Sequence, residues 1–204
     1  MTIKNGQPWG QLGSLPPAGV AIQSDGELRS VVQKCMRTDT PLPVFGLLNG
    51  DLWRAVGAPI GGLNRLRSEQ AQTVTIDLVE VGMDEQTSWF CSHMFIRNRL
   101  WLGKTIAVMN SEWMGQWRVA PRAHPNDGKV DIVEGALPLG QRLIARKRIR
   151  TGDHIPHPRI KVSQKSAWSA KLDPLDNVYL DGQKVGRFKA IKLKVLPDAL
   201  TVVF

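Results

Sequence analysis

Apolar residues recur with one period in the first third of the chain and with another beyond about residue 70. The run from Ala18 to Gln23 is short and almost wholly apolar, which suits a buried strand better than a helix. Ser24-Asp25-Gly26 then turns the chain. Leu28, Val31, Val32, Cys35 and Met36 follow at i, i+3, i+4, i+7 and i+8, one stripe of an amphipathic helix with Ser24 or Asp25 as its N-cap. Pro43 to Leu48 predicts a second buried strand, followed by Asn49-Gly50-Asp51 and a short helix near Leu52 to Val56. Strand, helix and strand make a βαβ unit, whose parallel strands deliver both following turns to the same sheet edge.

Beyond residue 70 the period shortens to two. Thr73 to Val81 places Val74, Ile76 and Leu78 on one face. Trp89 to Ile96, Lys104 to Met109, Trp113 to Val119 and Asp131 to Glu134 continue as strands. Leu137 to Arg150 reads as a helix with Leu139, Leu143, Ile144 and Ala145 turned inward. Its basic residues Arg142, Arg146, Lys147, Arg148 and Arg150 turn outward. Arg159 to Val162, Ala167 to Leu172, Val178 to Leu180, Ile191 to Leu196 and Leu200 to Phe204 complete the strands. The expected class is α+β: a truncated α/β (βαβ) lobe over residues 1–65, then a larger antiparallel β-sandwich or barrel-like lobe over 66–204 with one embedded basic helix.

Charge adds a second asymmetry. The net charge is +9, carried entirely by residues 142–204, which hold 14 basic and 5 acidic side chains. Such a balance points to an anionic partner or to a solvated basic face. Two isolated cysteines, Cys35 and Cys91, exclude a disulfide framework and a zinc ribbon, and fit a reducing cytoplasm. The N-terminal residues have no apolar core of the kind that directs export. Trp89, Trp101, Trp113 and Trp117 fall on predicted strands, apart in sequence from the basic segment. This disfavours nucleic acid, which wants basic and aromatic residues interleaved. His154 and His157, separated by Ile155-Pro156, read as loop residues rather than metal ligands.

Three stretches carry a resemblance to the bacterial diacylglycerol kinase and sphingosine kinase family of the NAD kinase-like superfamily. Ala120 to Asp131 (APRAHPNDGKVD) is similar to the family's A-P-x-A-x-x-x-D-G-x-L-D segment. The closing run holds His157-Pro158, Asp181-Gly182-Gln183 and Val195-Leu196-Pro197-Asp198-Ala199-Leu200, where the family has H-P, D-G-E and V-L-P-x-A-L. Ser24-Asp25-Gly26-Glu27 stands where the family has its G-G-D-G-T phosphate loop. Asn49-Gly50-Asp51 stands at a second nucleotide loop, with Gly50 where Asn is expected.

The resemblance implies a nucleotide site at Ser24, Asp25, Gly26, Glu27, Asn49, Gly50 and Asp51, and a catalytic pair at Asp181 and residue 183. It also implies a structural Mg2+ on Asp127 with the carbonyls of His124 and Lys129, and a membrane-facing basic surface at Arg142, Arg146, Lys147, Arg148 and Arg150. The departures are equally specific. The family's two preceding βα units have no counterpart, leaving an edge strand for a partner or a second copy to cover. Gln23, Ser24 and Glu27 replace two glycines and a threonine. Gln183 replaces the general-base Glu, and an amide cannot take a proton near neutral pH. The expectation is a degenerate kinase-like protein, cytoplasmic or peripheral to the inner membrane face, that binds an anionic lipid or a protein. The alternative is an ATP-dependent lipid kinase completed by a partner or dimer.

Overall fold

The computed structural model describes residues 9–98, 103–174 and 176–204. Trp101 lies outside them, as does the side chain of Leu139. The chain opens with β1 (Gln11–Leu12), β2 (Val20–Ile22), α1 (Asp25–Arg37), β3 (Phe45–Leu47), α2 (Asp51–Ala55) and α3 (Gly62–Leu66). Strands β2 and β3 are parallel, Val20 beside Phe45 and Ile22 beside Leu47, so the expected βαβ unit forms. Ser24 is the N-cap of α1, its Oγ accepting from the Glu27 amide at 3.2 Å. Leu28 and Val32 from the predicted stripe are fully buried against Ile22, Phe45 and Leu47. The short helix α3 has no counterpart in the sequence reading.

Then follow β4 (Gln72–Met83), β5 (Gln86–Phe90), β6 (His93–Asn98), β7 (Thr105–Met109), β8 (Trp113–Met114), β9 (Trp117–Arg118) and β10 (Val130–Gly135). Helix α4 (Leu139–Arg148) precedes β11 (Ile160–Lys165), β12 (Ala167–Lys171), β13 (Asp176–Leu180), β14 (Gln183–Gly186) and β15 (Ala190–Val203). A seven-stranded sheet runs β1-β4-β15-β3-β2, with β5 beside β4 and β12 beside β15. A six-stranded sheet runs β11-β10-β7-β6-β13-β14. The two pack face to face over Val79, Val81, Phe90, Met94, Val108, Ile132 and Leu193, giving a β-sandwich.

The long strands β4 and β15 tie this sandwich to the βαβ unit. Ile191 to Leu196 of β15 pair with Met83 to Leu78, while Val202 and Val203 lie parallel to Phe45 and Gly46. A bulge between Leu196 and Leu200 sits opposite Asp77 and shifts the register. On β4, Val74, Ile76 and Leu78 face the α1 core, and Val79, Val81 and Met83 face the sandwich core. The buried Asp77 carboxylate fixes the crossover, accepting from the amides of Gly128 at 2.7 Å and Asp198 at 3.0 Å.

Several expectations need correction. Trp89 to Ile96 is two strands broken at Cys91 and Ser92, because these amides turn toward Asp181 instead of a neighbouring strand. Trp113 to Val119 is a tight two-stranded hairpin, with Gly115 at φ 59°. Ile191 to Leu196 and Leu200 to Phe204 belong to one strand. Leu143 and Ile144 do not turn inward: they are 68% and 55% exposed, because α4 rests on the sheet through Ala145 and Ile149. Arg142 does not turn outward. It is half-buried and donates to the carbonyls of Leu137 and Gly103.

Candidate functional site

Parts of the two nucleotide-loop stretches and the Asp181-Gly182-Gln183 turn meet at one cleft, whereas the 120–131 segment, His157-Pro158 and the 195–200 run lie outside it. The N-terminus of α1 supplies Ser24, Asp25 and Gly26, and α2 supplies Asp51. The β13–β14 hairpin supplies Asp181, Gly182 and Gln183, β6 supplies His93, and Arg146 and Arg150 come from α4 and its end. The cleft has a volume of about 720 Å³. Asn49 stands outside it, an exposed side chain accepting from the Gly50 amide.

Asp181 and Gly182 form a two-residue hairpin turn with φ of 46° and 79°, the left-handed pair that an Asp-Gly sequence supplies. This turn buries the Asp181 carboxylate against the β5–β6 break. There it accepts from the amides of Cys91, Ser92 and His93 at 2.9, 2.8 and 3.0 Å. It also aims Gln183, the first residue of β14, at α1. The Gln183 Oε1 accepts from Nη1 of buried Arg29 at 2.8 Å, and Arg29 Nε donates to the Trp89 carbonyl at 3.2 Å.

Asp25 ties α1 to α2. Its two oxygens accept from the amides of Asp51 at 2.5 Å and Leu52 at 3.1 Å. That contact explains Gly50, where the resemblance expects Asn: φ is 115°, and a Cβ there would lie 2.8 Å from Asp25 Oδ2. Asp51 in turn accepts from the Gly115 amide at 2.7 Å and lies 3.4 Å from His93 Nδ1. Burial, followed by repulsion from Asp25, lifts the Asp181 carboxyl to about 7. Burial also lifts Asp25 to about 6. His93 goes the other way, lowered by burial against the opposing pull of the Asp51 carboxylate.

The entry of α1 is partly taken up by the chain's own side chains. The Glu27 carboxylate folds back and accepts from the Gln23 amide at 2.7 Å, while Ser24 takes the Glu27 amide. With Asp25 beside it, Glu27 already complements the positive end of the helix. Gln183 Nε2 covers Gly26, lying 3.0 Å from where a Cβ would stand.

A scan against protein families matches residues 62–204 to the YegS C-terminal NAD kinase beta sandwich-like domain. The chain belongs to that family. The YegS-type lobe accounts for the sandwich, the 120–131 segment, α4 and the Asp181-Gly182-Gln183 turn. Solved structures extend the likeness in fold over 91% of the chain. A candidate diacylglycerol kinase of Bacillus anthracis strain Sterne superposes with TM-score 0.64 at 10% identity, over 77% of its own chain. A second structure described as a diacylglycerol kinase of that strain gives 0.58 at 12% identity, over 75%. Yeast NADH kinase complexed with NADH gives 0.52 at 10% identity, over 62%. No curated protein sequence matches.

Asp127, His124 and Lys129 share the turn that leads into β10. Asp127 Oδ1 accepts from the Lys129 amide at 3.0 Å. Asp127, Asp77 and Asp131 are all raised, chiefly by burial, and the Asp127 charge adds to the shift of the other two. Among the described residues no group of three or more His, Cys, Asp or Glu side chains is placed to hold a metal. The turn therefore fits a hard cation only through one carboxylate supplemented by backbone oxygens.

Sequence reasoning missed Arg29, His93 and the 114–117 hairpin tip. Arg29 falls inside an apolar stripe and His93 inside a strand, so neither carries a local signal. No helix among the described residues is long and apolar enough to cross a membrane.

Proposed function

We propose that the protein is a kinase-derived binding module, silent in phosphoryl transfer, that engages an anionic lipid surface through the basic side of α4. The observation that carries this reading is the Glu27 carboxylate folded back over the entry of α1. A phosphate-binding helix terminus needs unfilled amides and no competing negative charge. Here Glu27 and Ser24 occupy that entry, and Asp25 is spent on α2. Gln183 adds a second obstacle, since an amide held by Arg29 cannot accept the proton of a lipid hydroxyl.

The basic residues support the binding half of the reading. Lys147, Arg148 and Arg150 are exposed beside Leu143 and Ile144, so α4 offers cations and exposed apolar side chains together. Each cation near an anionic bilayer contributes on the order of 1 kcal/mol. Mg2+, where bound, belongs to the turn at Asp127 and serves the structure, with no functional step running through it. The convergence of Asp25, Asp51, Asp181 and Gln183 on one cleft favours the kinase as the second reading.

Vesicle co-sedimentation tests the proposal. The protein is expected to pellet with phosphatidylserine-containing vesicles, to lose that binding as salt rises, and to ignore pure phosphatidylcholine. Lys147→Glu with Arg148→Glu is expected to weaken binding by at least about tenfold. Equal binding to both vesicles, or to neither, removes the lipid reading and leaves a protein partner. ATP-dependent phosphorylation of a lipid by the purified protein, lost in Asp25→Ala, would establish the kinase instead.

A further inference from the structure

Strand β15 carries β4 along one side. Along the other it carries β12 beside Ala190 to Lys194 and β3 beside Val202 and Val203, with β2 beyond β3. The two outermost strands on that side, β2 and β12, are finished differently. At β2 the Val20 amide donates to the Val44 carbonyl and the Leu48 amide to the Ile22 carbonyl, so Gly19, Ala21 and Gln23 face outward. The chain closes this edge itself. The Gly19 amide is taken by the Pro16 carbonyl at 2.8 Å and the Gln23 amide by the Glu27 carboxylate at 2.7 Å.

Nothing closes β12 in that way. The Leu172 amide donates to the Lys189 carbonyl, and the Val195 amide to the Ser166 carbonyl, both at 2.8 Å. The even-numbered residues therefore bond β15, and Ala167, Ser169 and Lys171 turn their N–H and C=O groups outward. All three are exposed, and among the described residues β12 pairs with β15 alone. The inner face is unfinished too. Trp168 and Ala170 pack on the sandwich core but are only half-buried, since no strand lies beyond them.

Charge selects the kind of strand that fits. On the outer face Lys171 stands on β12, and Lys192 and Lys194 stand on β15 beside Ser169 and Ala167. Glu80 pairs with Lys194 at 2.9 Å, whereas Lys171 and Lys192 form no ion pair among the described residues. Two copies of this chain joined here would bring the lysines of both onto one face, the device by which edge strands avoid pairing with themselves. We propose that the open edge of β12 docks an extended acidic segment of a partner protein, which joins the sheet as a further strand. Its main chain bonds Ala167, Ser169 and Lys171. Its alternate side chains divide between the two faces, apolar ones covering Trp168 and Ala170 and carboxylates meeting Lys171. This surface is separate from α4, which rests on the outer face of the other sheet.

The test uses the full chain and a short end-capped peptide of alternating Glu and Val, with its Lys-Val counterpart as control. The Glu-Val peptide is expected to bind at least about tenfold more tightly than the control, and to slow amide exchange at Ala167, Ser169 and Lys171. Ser169→Pro removes an outward amide that serves no ladder bond, so it is expected to abolish binding with a melting temperature near wild type. Lys171→Glu with Lys192→Glu, at exposed positions, is expected to reverse the preference between the peptides. Absence of binding, equal binding of both peptides, or protection that falls elsewhere than on β12 would each overturn the proposal. Retention on a DNA duplex in place of the peptide would also overturn it, marking the lysines as a nucleic-acid surface. Failure of the peptide leaves the lipid reading of α4 standing, and failure of vesicle binding leaves this one standing.

Discussion

Asp181→Ala is expected to destabilise the protein by about 4 kcal/mol, the largest loss of any single truncation at the cleft. The carboxylate satisfies three buried amides, those of Cys91, Ser92 and His93, at the point where the chain leaves one sheet for the other. Alanine leaves all three without their acceptor, and each such buried group costs roughly 1–3 kcal/mol. In a chain of this size the loss corresponds to a fall in melting temperature of roughly 8–16 °C. Asp181→Asn keeps one acceptor oxygen and is expected to fall between the two. A melting temperature within about 2 °C of wild type for Asp181→Ala would show that the amides find other partners.

The second large effect is a loss of stability as pH rises. Asp25 and Asp181 have folded-state values of about 6 and about 7, above the ordinary carboxylate value, so folding favours their protonated forms. Below about pH 4 both are protonated whether the chain is folded or not, and the penalty is absent. It accumulates as pH rises through 4 to 7 and stays constant above. For Asp25 alone the shift corresponds to roughly 3 kcal/mol. Asp77, Asp127 and Asp131 are raised too, chiefly by burial, and act in the same direction. Melting temperature is therefore expected to fall between pH 5 and pH 8. Asp25→Asn should lower it throughout, because an amide oxygen serves only one of the Asp51 and Leu52 amides. Its slope against pH should nevertheless be shallower than that of wild type. A wild-type profile that rises over this interval contradicts the assignment.

Much of this was legible in the residues. Leu28, Val32 and their neighbours announce α1 because one face of a helix must be buried, and Ser24 announces its start. The break at Cys91 was not legible, since its cause is a carboxylate about ninety positions away in the chain. Nor was the single strand β15, in which Pro197 and Asp198 look like an end but form a bulge around Asp77. Gly50 read as a departure from the family pattern, and only the approach of Asp25 shows why a side chain there is excluded. At α4 the spacing was right for a helix, but it could not say which side meets the sheet.

We propose that the entry of α1, where Glu27 and Ser24 take the Gln23 and Glu27 amides, binds no nucleotide. Calorimetric titration of the purified protein with Mg-ATP at neutral pH tests it most directly. The account predicts no saturable heat at millimolar nucleotide, in the wild type and equally in Gln183→Glu. One-to-one binding at micromolar Kd, weakened by Asp25→Ala, would contradict it and return the cleft to phosphoryl transfer.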